Sequence, residues 1–399
     1  MIEKPKLPKK ALILANYTPP AINGAAICLF NIFSNFNPDS YCFLTSHKNF
    51  EKKGSDPAYS LSCHYFFYDD DRNDKRMLSK WYVLVSKPFR IYTKIRKALK
   101  IIKEERIEVL IGTTGRGQML IFTYILSKLS GKPYCPYILD LYKHNNLPGP
   151  WKIIATFFEP ILFRGASLIF LCCEGYMDFY KKQYPKLNTF RPAFHGGFSE
   201  DYSDIQNVKP NRRNEVTILF SGAIYWLAEG ALDEVIEACQ EIKEFKINIL
   251  LYIPAPSKKL IQKYSAIPNI QILSATKSAM IRAMNQADIL LIPYSWNTQS
   301  QDVVNTAIPS KLIGYLLSNT PILIHAPRES YISRYGRKNK FACVVDDQDI
   351  NKIKSAIKKM IIDNEYTTEL IRNAQKTFFE NHDARINSKI FYDSLLKLN

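Results

Sequence analysis

Short β-branched and apolar runs alternate along this chain with longer stretches of helical period. Lys10–Ala15, Tyr41–Ser46, His64–Tyr68, Ile107–Gly112, Pro133–Leu139 and Ser167–Cys172 predict strands. Between them, Ala25–Phe36, Pro88–Glu105, Gly117–Leu129 and a stretch after Pro150 predict helices. Strands that are apolar throughout are buried on both faces, and strands separated by helices form parallel sheets. The pattern breaks at Arg191–Asn214, where Pro192, Gly196, Gly197 and Pro210 sit among polar residues. That composition predicts an interdomain linker, set at 195–214. A second series follows. Val216–Phe220, Ile247–Ile253, Ala287–Pro293, Pro321–His325 and Phe341–Val345 predict strands; Glu229–Ile242, Lys277–Gln286 and Pro309–Leu317 predict helices; and the tail from Asp349 is almost all helical. The expected fold class is α/β, with two domains of parallel sheet at 1–194 and 215–381 and a final helix over 382–399. The two halves share a class and no short repeat.

Composition agrees. A chain of 399 residues is too long for one ordinary core, and 46 % hydrophobic residues can fill two. The formal charge is +17, and it is uneven: residues 1–200 carry 29 basic and 16 acidic side chains. A basic first half points to an anionic partner there: phosphate, acidic glycan, anionic lipid or nucleic acid. None of the eight cysteines forms a C-x-x-C pair, so they read as small buried hydrophobes in a reducing compartment. The most apolar long stretch, Lys152–Met177, is interrupted by Glu159, Pro160 and Arg164, short of the roughly 20 apolar residues of a membrane span. The first residues do not resemble a signal peptide. The expectation is a soluble cytoplasmic protein.

Four segments carry candidate chemistry. The loop Asn16–Ala26 joins the first strand to the first helix, and Gly24 there would let backbone N–H groups approach a phosphate; an ordinary βα turn is the plainer alternative. It is not a G-x-G-x-x-G fingerprint. Asp140–Asn146 follows the strand Pro133–Leu139, at the strand end where open parallel sheets bind ligands. Asp140 there can orient a hydroxyl or accept its proton, or simply cap a loop; His144 is the weaker member. Phe220–Tyr225 ends the first strand of the second half, with Ser221 and Gly222 as backbone donors toward a phosphate. Residues 287–326 are the most specific. A buried strand ends at Pro293 beside Tyr294, a polar loop follows, and Pro309 and Ser310 open a helix at Lys311. That helix start suits a diphosphate, and Lys311 adds a positive charge. The bland alternative is a helix start with a solvated lysine.

From Lys75 through Lys103 there is no acidic residue, while ten basic ones are interleaved with Trp81, Tyr82, Phe89 and Tyr92. Such a surface suits an anionic membrane or a lipid-linked acceptor. A solvated helix face is the plain alternative. Nucleic acid ranks last, since no recognised binding module accompanies the charge.

In order and spacing these segments resemble the retaining-type GT-B glycosyltransferases that build bacterial surface glycans. LILANYTPPAINGAA resembles that family's first strand and glycine loop, ILDLYKHNN its acceptor-side loop, and TILFSGAIY the start of its C-terminal domain. ADILLIPY with IPSKLIGYLLSNTPILI resembles its donor signature, and His382–Leu398 its final crossing helix. The resemblance covers nearly the whole chain. It implies two Rossmann-like domains with a ligand cleft between them and a nucleotide-diphosphate sugar as donor. Gly24, Ser221, Gly222, Tyr294, Pro309 and Ser310 would bind that donor. Lys311 would stabilise the leaving group, and Asp140, with His144 near it, would face the acceptor. It implies no metal and no cofactor beyond the substrate. The acceptor would be a glycan or lipid-linked hydroxyl in surface polysaccharide synthesis; the basic stretch 75–103, read on its own, allows peripheral contact with the inner face of the membrane. Two positions depart from the family: Ala223 stands where many relatives carry a basic residue, and Gly314 where they carry a glutamate thought to hold the ribose. Those departures motivate the alternative of a non-catalytic GT-B subunit that binds a partner enzyme or membrane.

Overall fold

The computed structural model describes residues 4–46, 50, 55–68, 80–115, 117–202, 215–254, 256–297 and 299–398, with the backbone path alone for 80–90. The start of the basic stretch, 75–79, and the linker beyond 202 lie outside the described residues. Two compact units result: Met1–Phe194 together with Asn387–Asn399, and His195–Ile386.

The first unit runs β1 (Ala11–Leu14), α1 (Gly24–Phe33), β2 (Tyr41–Thr45), β3 (His64–Phe67), α2 (Lys80–Glu104), β4 (Val109–Thr113), α3 (Gln118–Ser130), β5 (Tyr134–Ile138), α4 (Gly149–Arg164), β6 (Ile169–Leu171), α5 (Glu174–Gln183) and β7 (Phe190–Pro192). Its seven strands are all parallel, in the order β3-β2-β1-β4-β5-β6-β7. Ile13 of β1 pairs with Phe43 on one side and Ile111 on the other. The central strands β1, β2, β4 and β5 are buried at every residue, as runs covered on both faces require. Ala98, Ile101 and Ile102 of α2 and Met119 and Leu126 of α3 close one face over Leu12, Leu14, Cys42, Leu44 and Leu110.

One polar group is buried deliberately. Glu159 of α4 has no exposure. Its carboxylate accepts from the backbone N–H of Lys143 (3.0 Å) and the hydroxyls of Tyr184 (2.9 Å) and Tyr180 (3.4 Å), with the Lys143 ammonium 3.5 Å away. A carboxylate satisfied this way fastens the loop after β5, where Asp140 stands, to the helix behind it. The eight cysteines are all buried free thiols. Burial pushes the Cys28 thiol up to about 12 despite the Tyr137 hydroxyl 2.9 Å away, so it is inert packing.

The second unit runs β8 (Glu215–Ser221), α6 (Glu229–Glu241), β9 (Lys246–Tyr252), α7 (Lys258–Ser265), β10 (Ile270–Leu273), α8 (Lys277–Gln286), β11 (Ile289–Pro293), α9 (Gln301–Thr306), α10 (Lys311–Leu317), β12 (Ile322–His325), α11 (Tyr331–Asn339), β13 (Ala342–Val345), α12 (Ile350–Ile362) and α13 (Asn364–Asn381). Its six strands are also all parallel, in the order β10-β9-β8-β11-β12-β13. The last helix, α14 (Ala384–Leu396), belongs from Asn387 onward to the first unit, where Phe391 packs on Phe170 and Phe33 at ring centroids of 4.5 and 5.5 Å.

Several elements differ from the sequence expectation. Arg191 and Pro192 are not linker: they pair with Phe170 and Leu171 as the edge strand β7. Proline is tolerated there because an edge strand need not donate on its outer side. α7 and β10 fill the interval between Ile253 and Lys277, for which no element was expected. β10 is four residues long and only partly buried, so its apolar signal is faint. The polar loop before Pro309 contains the short helix α9, capped by the Ser300 side chain on the Val303 N–H. The helical tail breaks at Asp363 as well as at His382, where the final helix was expected to begin.

Candidate functional site

In an open parallel sheet the chain leaves the first strand in one direction and later strands in the other, and ligands bind at the carboxyl ends where the order reverses. The first sheet reverses between β1 and β4, the second between β8 and β11. Most of the candidate residues lie on the loops at these two points or on the strand next to them.

In the first unit, the β1 loop ends at Asn23, whose side chain accepts from the Ala26 N–H (3.0 Å) and so caps α1 at Gly24. The β4 loop places Thr114 so that its hydroxyl oxygen accepts the N–H groups of Leu139 (2.8 Å) and Asp140 (3.0 Å). The β4 and β5 loops are thereby locked together. Gly117 completes the joint: it has φ +82°, and a Cβ there would lie 2.0 Å from the Tyr142 ring. Asp140 itself is exposed, yet protein atoms crowd around it, and that desolvation raises its carboxyl above the ordinary value. Among the described residues desolvation is the only cause of that shift, and no cation offsets it. His144 turns to the neighbouring helix. Its ring meets Gln183 at about 3.0 Å and lies edge-on to Phe179 of α5 at 4.9 Å, which fixes it to the neighbouring helix.

In the second unit the structure brings together the end of β8 and the start of α10. Lys311 extends its ammonium over the Phe220 ring, 3.6 Å from the centroid. Its side chain passes Gly222, where an added Cβ would stand 3.2 Å from Cε and 3.4 Å from Nζ. Gly222 has φ +113°, so this position needs glycine for both backbone and space. One turn along α10, the Tyr315 hydroxyl accepts from the Ser221 N–H (2.9 Å) and from Ser221 Oγ (3.2 Å). The Gly222 N–H goes to the Tyr252 carbonyl (2.9 Å). Both backbone donors that the sequence offered to a phosphate at 221 and 222 are therefore spent inside the domain, and the positive group left at this strand end is Lys311. The surrounding protein pushes its pKa down to about 7, with desolvation the sole cause, although the residue keeps partial exposure. Burial at this strand end therefore disfavours the charged form of Lys311.

Pro309 and Ser310 precede α10 as expected, the Pro309 carbonyl accepting from the Leu312 N–H (3.0 Å). Ser310 makes no side-chain cap on that helix. Tyr294 follows β11 and is buried, its N–H donated to the His325 carbonyl (2.8 Å). Residues to which sequence reasoning gave no role of their own include Phe220, Tyr315 and Thr114. Tyr315 carried a readable signal, standing four residues after Lys311 on the same helix face.

The departure at Gly314 has a structural partner. A Cβ on Gly314 would lie 2.6 Å from the Tyr202 hydroxyl and 3.3 Å from Met284 Cε, so Tyr202 occupies the space a side chain would need. Asp201, beside it, is tied to Lys277 of α8 at 2.7 Å. Gly314→Ala should therefore leave the thermal midpoint of this unit little changed, because pushing the end of the Tyr202 side chain aside offsets a helix-propensity gain of about 1 kcal/mol. In a Tyr202→Phe background the same change should raise it. Equal shifts in both backgrounds would show that the hydroxyl does not fill this space.

Two parallel-sheet α/β units of this topology define the GT-B fold. Solved structures share it over the whole chain. A glycosyltransferase from Rickettsia africae is similar at TM-score 0.67 and 14 % identity, covering 98 % of this chain and 100 % of the other. HepE from Anabaena, in complex with UDP and glucose, is similar at TM-score 0.69 and 12 % identity with the same coverage. Sucrose-phosphate synthase from Thermosynechococcus elongatus is similar at 0.67 and 9 %, covering 96 % and 97 %. No family model matches the sequence, and neither does any curated protein.

Proposed function

We propose that this protein is a glycosyltransferase that takes its sugar from a nucleoside-diphosphate sugar. The observation that carries the reading is Lys311: an ammonium held at the switch point of the second sheet, desolvated and with no anionic side chain among the described residues to offset it. A protein bears the cost of such a group where a ligand supplies the missing charge. A diphosphate fits, since the charge that develops on a nucleoside diphosphate as it leaves is what a cation there stabilises. Asp140, on the first unit, would meet the acceptor hydroxyl. The complexes of HepE with UDP and with UDP-glucose, in the same fold, support a uridine nucleotide as the first donor to try.

The finer reading is transfer to a glycan or lipid-linked hydroxyl in surface polysaccharide synthesis, with retention at the sugar. Its support is the ordered resemblance of the sequence segments. The test is calorimetric titration of the full chain with UDP-, GDP- and CDP-sugars, followed by hydrolysis assays without acceptor. One nucleotide class should bind with a dissociation constant in the range of about 1 μM to 1 mM. Absence of binding by every class at millimolar concentration would overturn the proposal. Binding with no hydrolysis and no transfer to any offered glycan would instead favour a non-catalytic subunit.

A further inference from the structure

The outer face of α4 is apolar where a water-facing helix is ordinarily polar. Ile153, Phe157 and Ile161 are 73 %, 66 % and 37 % exposed. Spaced four residues apart, they form one stripe along the helix. The opposite side of α4, with Ala155, Leu162 and Phe163, is buried in the core, so the stripe is surplus to folding. The neighbouring helix α3 packs against α4 and adds Ile125 and Leu129, 37 % and 58 % exposed. Single exposed aliphatic residues are ordinary, whereas a contiguous patch marks an interaction surface.

Charge narrows the partner. The only charged residue of α3 is Lys128, and α4 carries Lys152, Glu159 and Arg164. Glu159 is fully buried and its oxygens are spent on Lys143, Tyr180 and Tyr184. Every charge these two helices show to solvent is therefore positive. Lys152 and Arg164 are exposed at the two ends of the stripe and Lys128 beside Leu129. On the other flank α2 packs against α3 and exposes Arg96, Lys100 and Lys103 with one acidic residue, Glu104, 3.6 Å from Lys100, so its net charge still extends the positive field. A second copy docked face to face would set like charge against like. A sheet of anionic headgroups over an acyl layer complements both the charge and the apolar stripe. No helix among the described residues is long and apolar enough to cross a membrane.

We infer that the α3–α4 face is a membrane-docking surface, on which Ile153, Phe157 and Ile161 enter the boundary between headgroups and acyl chains while Lys128, Lys152 and Arg164 meet lipid phosphates. The sequence expectation placed membrane contact on the basic stretch 75–103. The structure moves the inserting element to α4 and leaves α2 an electrostatic part. The inference does not depend on the transferase reading, and its test uses no donor.

The full chain is sedimented with vesicles of phosphatidylcholine containing about 30 % phosphatidylglycerol, and with pure phosphatidylcholine, at physiological salt. Wild-type protein should pellet with the anionic vesicles at least tenfold more strongly than with the neutral ones. The triple variant Ile153→Ser, Phe157→Ser, Ile161→Ser should bind the anionic vesicles at least tenfold more weakly with an unchanged circular dichroism spectrum. All three side chains face outward, so folding is not at stake. Lys152→Glu with Arg164→Glu should weaken anionic binding and leave the weak neutral binding as it was. Anionic binding that is absent, or unchanged in the triple variant, would overturn the inference. So would sedimentation velocity showing a wild-type dimer that the triple variant converts to monomer, since the face would then belong to a second copy.

Discussion

Lys311→Ala is expected to lower transfer by about a thousandfold and to weaken binding of the donor's nucleoside diphosphate by about ten- to a hundredfold, while the second unit becomes more stable. The first effect is the loss of a charge-assisted contact to the leaving phosphate, worth about 1.5–3 kcal/mol in binding and more when charge develops in the transition state. The second follows from the same burial. The ordinary lysine value is 10.5 and here it is about 7, so between those values the unfolded chain binds more protons than the folded one. Stability then rises with pH across that window, and the alanine variant should lose this slope because it no longer buries an ammonium. Thermal unfolding at pH 7 and pH 9 reads it directly. A donor that needs the charged form binds with uptake of a proton from solvent by Lys311. Affinity for the nucleotide should therefore fall by close to tenfold per pH unit above about 7, and Lys311→Arg, always charged, should flatten that dependence. A wild-type affinity that is level from pH 7 to 9, or an alanine variant with wild-type turnover, would remove Lys311 from the mechanism.

Asp140→Asn should lower kcat at least a hundredfold and leave KM for the donor within a few-fold, as loss of general-base assistance does. The substitution keeps size and hydrogen-bonding capacity, and Thr114 holds the Asp140 and Leu139 backbone through N–H groups that asparagine also has. Only the carboxylate charge is lost. Its pKa is raised by desolvation, so the acid limb of the wild-type pH–rate profile should stand above the ordinary carboxylate value and disappear in the variant. A drop of less than tenfold would make Asp140 a positioning residue, with the departing phosphate taking the acceptor proton instead.

How far the sequence reached can be judged from these same residues. The runs at 10–15, 107–112, 216–220 and 287–293 are apolar at nearly every position, and only strands covered on both faces keep such runs, so both sheets were legible. Strand ends follow from strands, and with them the loops that carry Asp140, Ser221 and Lys311. Pro309 and Ser310 marked the start of α10 through local backbone preferences that need no partner. The short edge elements were not legible, because β7 and β10 owe their pairing to a neighbouring strand and not to an apolar run of their own.

Tertiary structure decided everything that depends on which side chains meet. Lys311 reads in sequence as a full charge at a helix start. Folding lays it on Phe220, ninety-one positions away in the chain, and desolvation lowers its pKa. Ser221 and Gly222 read as phosphate donors, until Tyr315 and Tyr252 take their N–H groups. Gly314 reads as a lost contact, until Tyr202 is found in the space. The stretch after Pro150 reads as an interrupted span, until Glu159 turns inward and Ile153, Phe157 and Ile161 turn out. Local sequence sets backbone periodicity and polarity, and these determine the elements and their order. Burial and partnership are set by packing between segments far apart in the chain, and they decide which of those side chains can act.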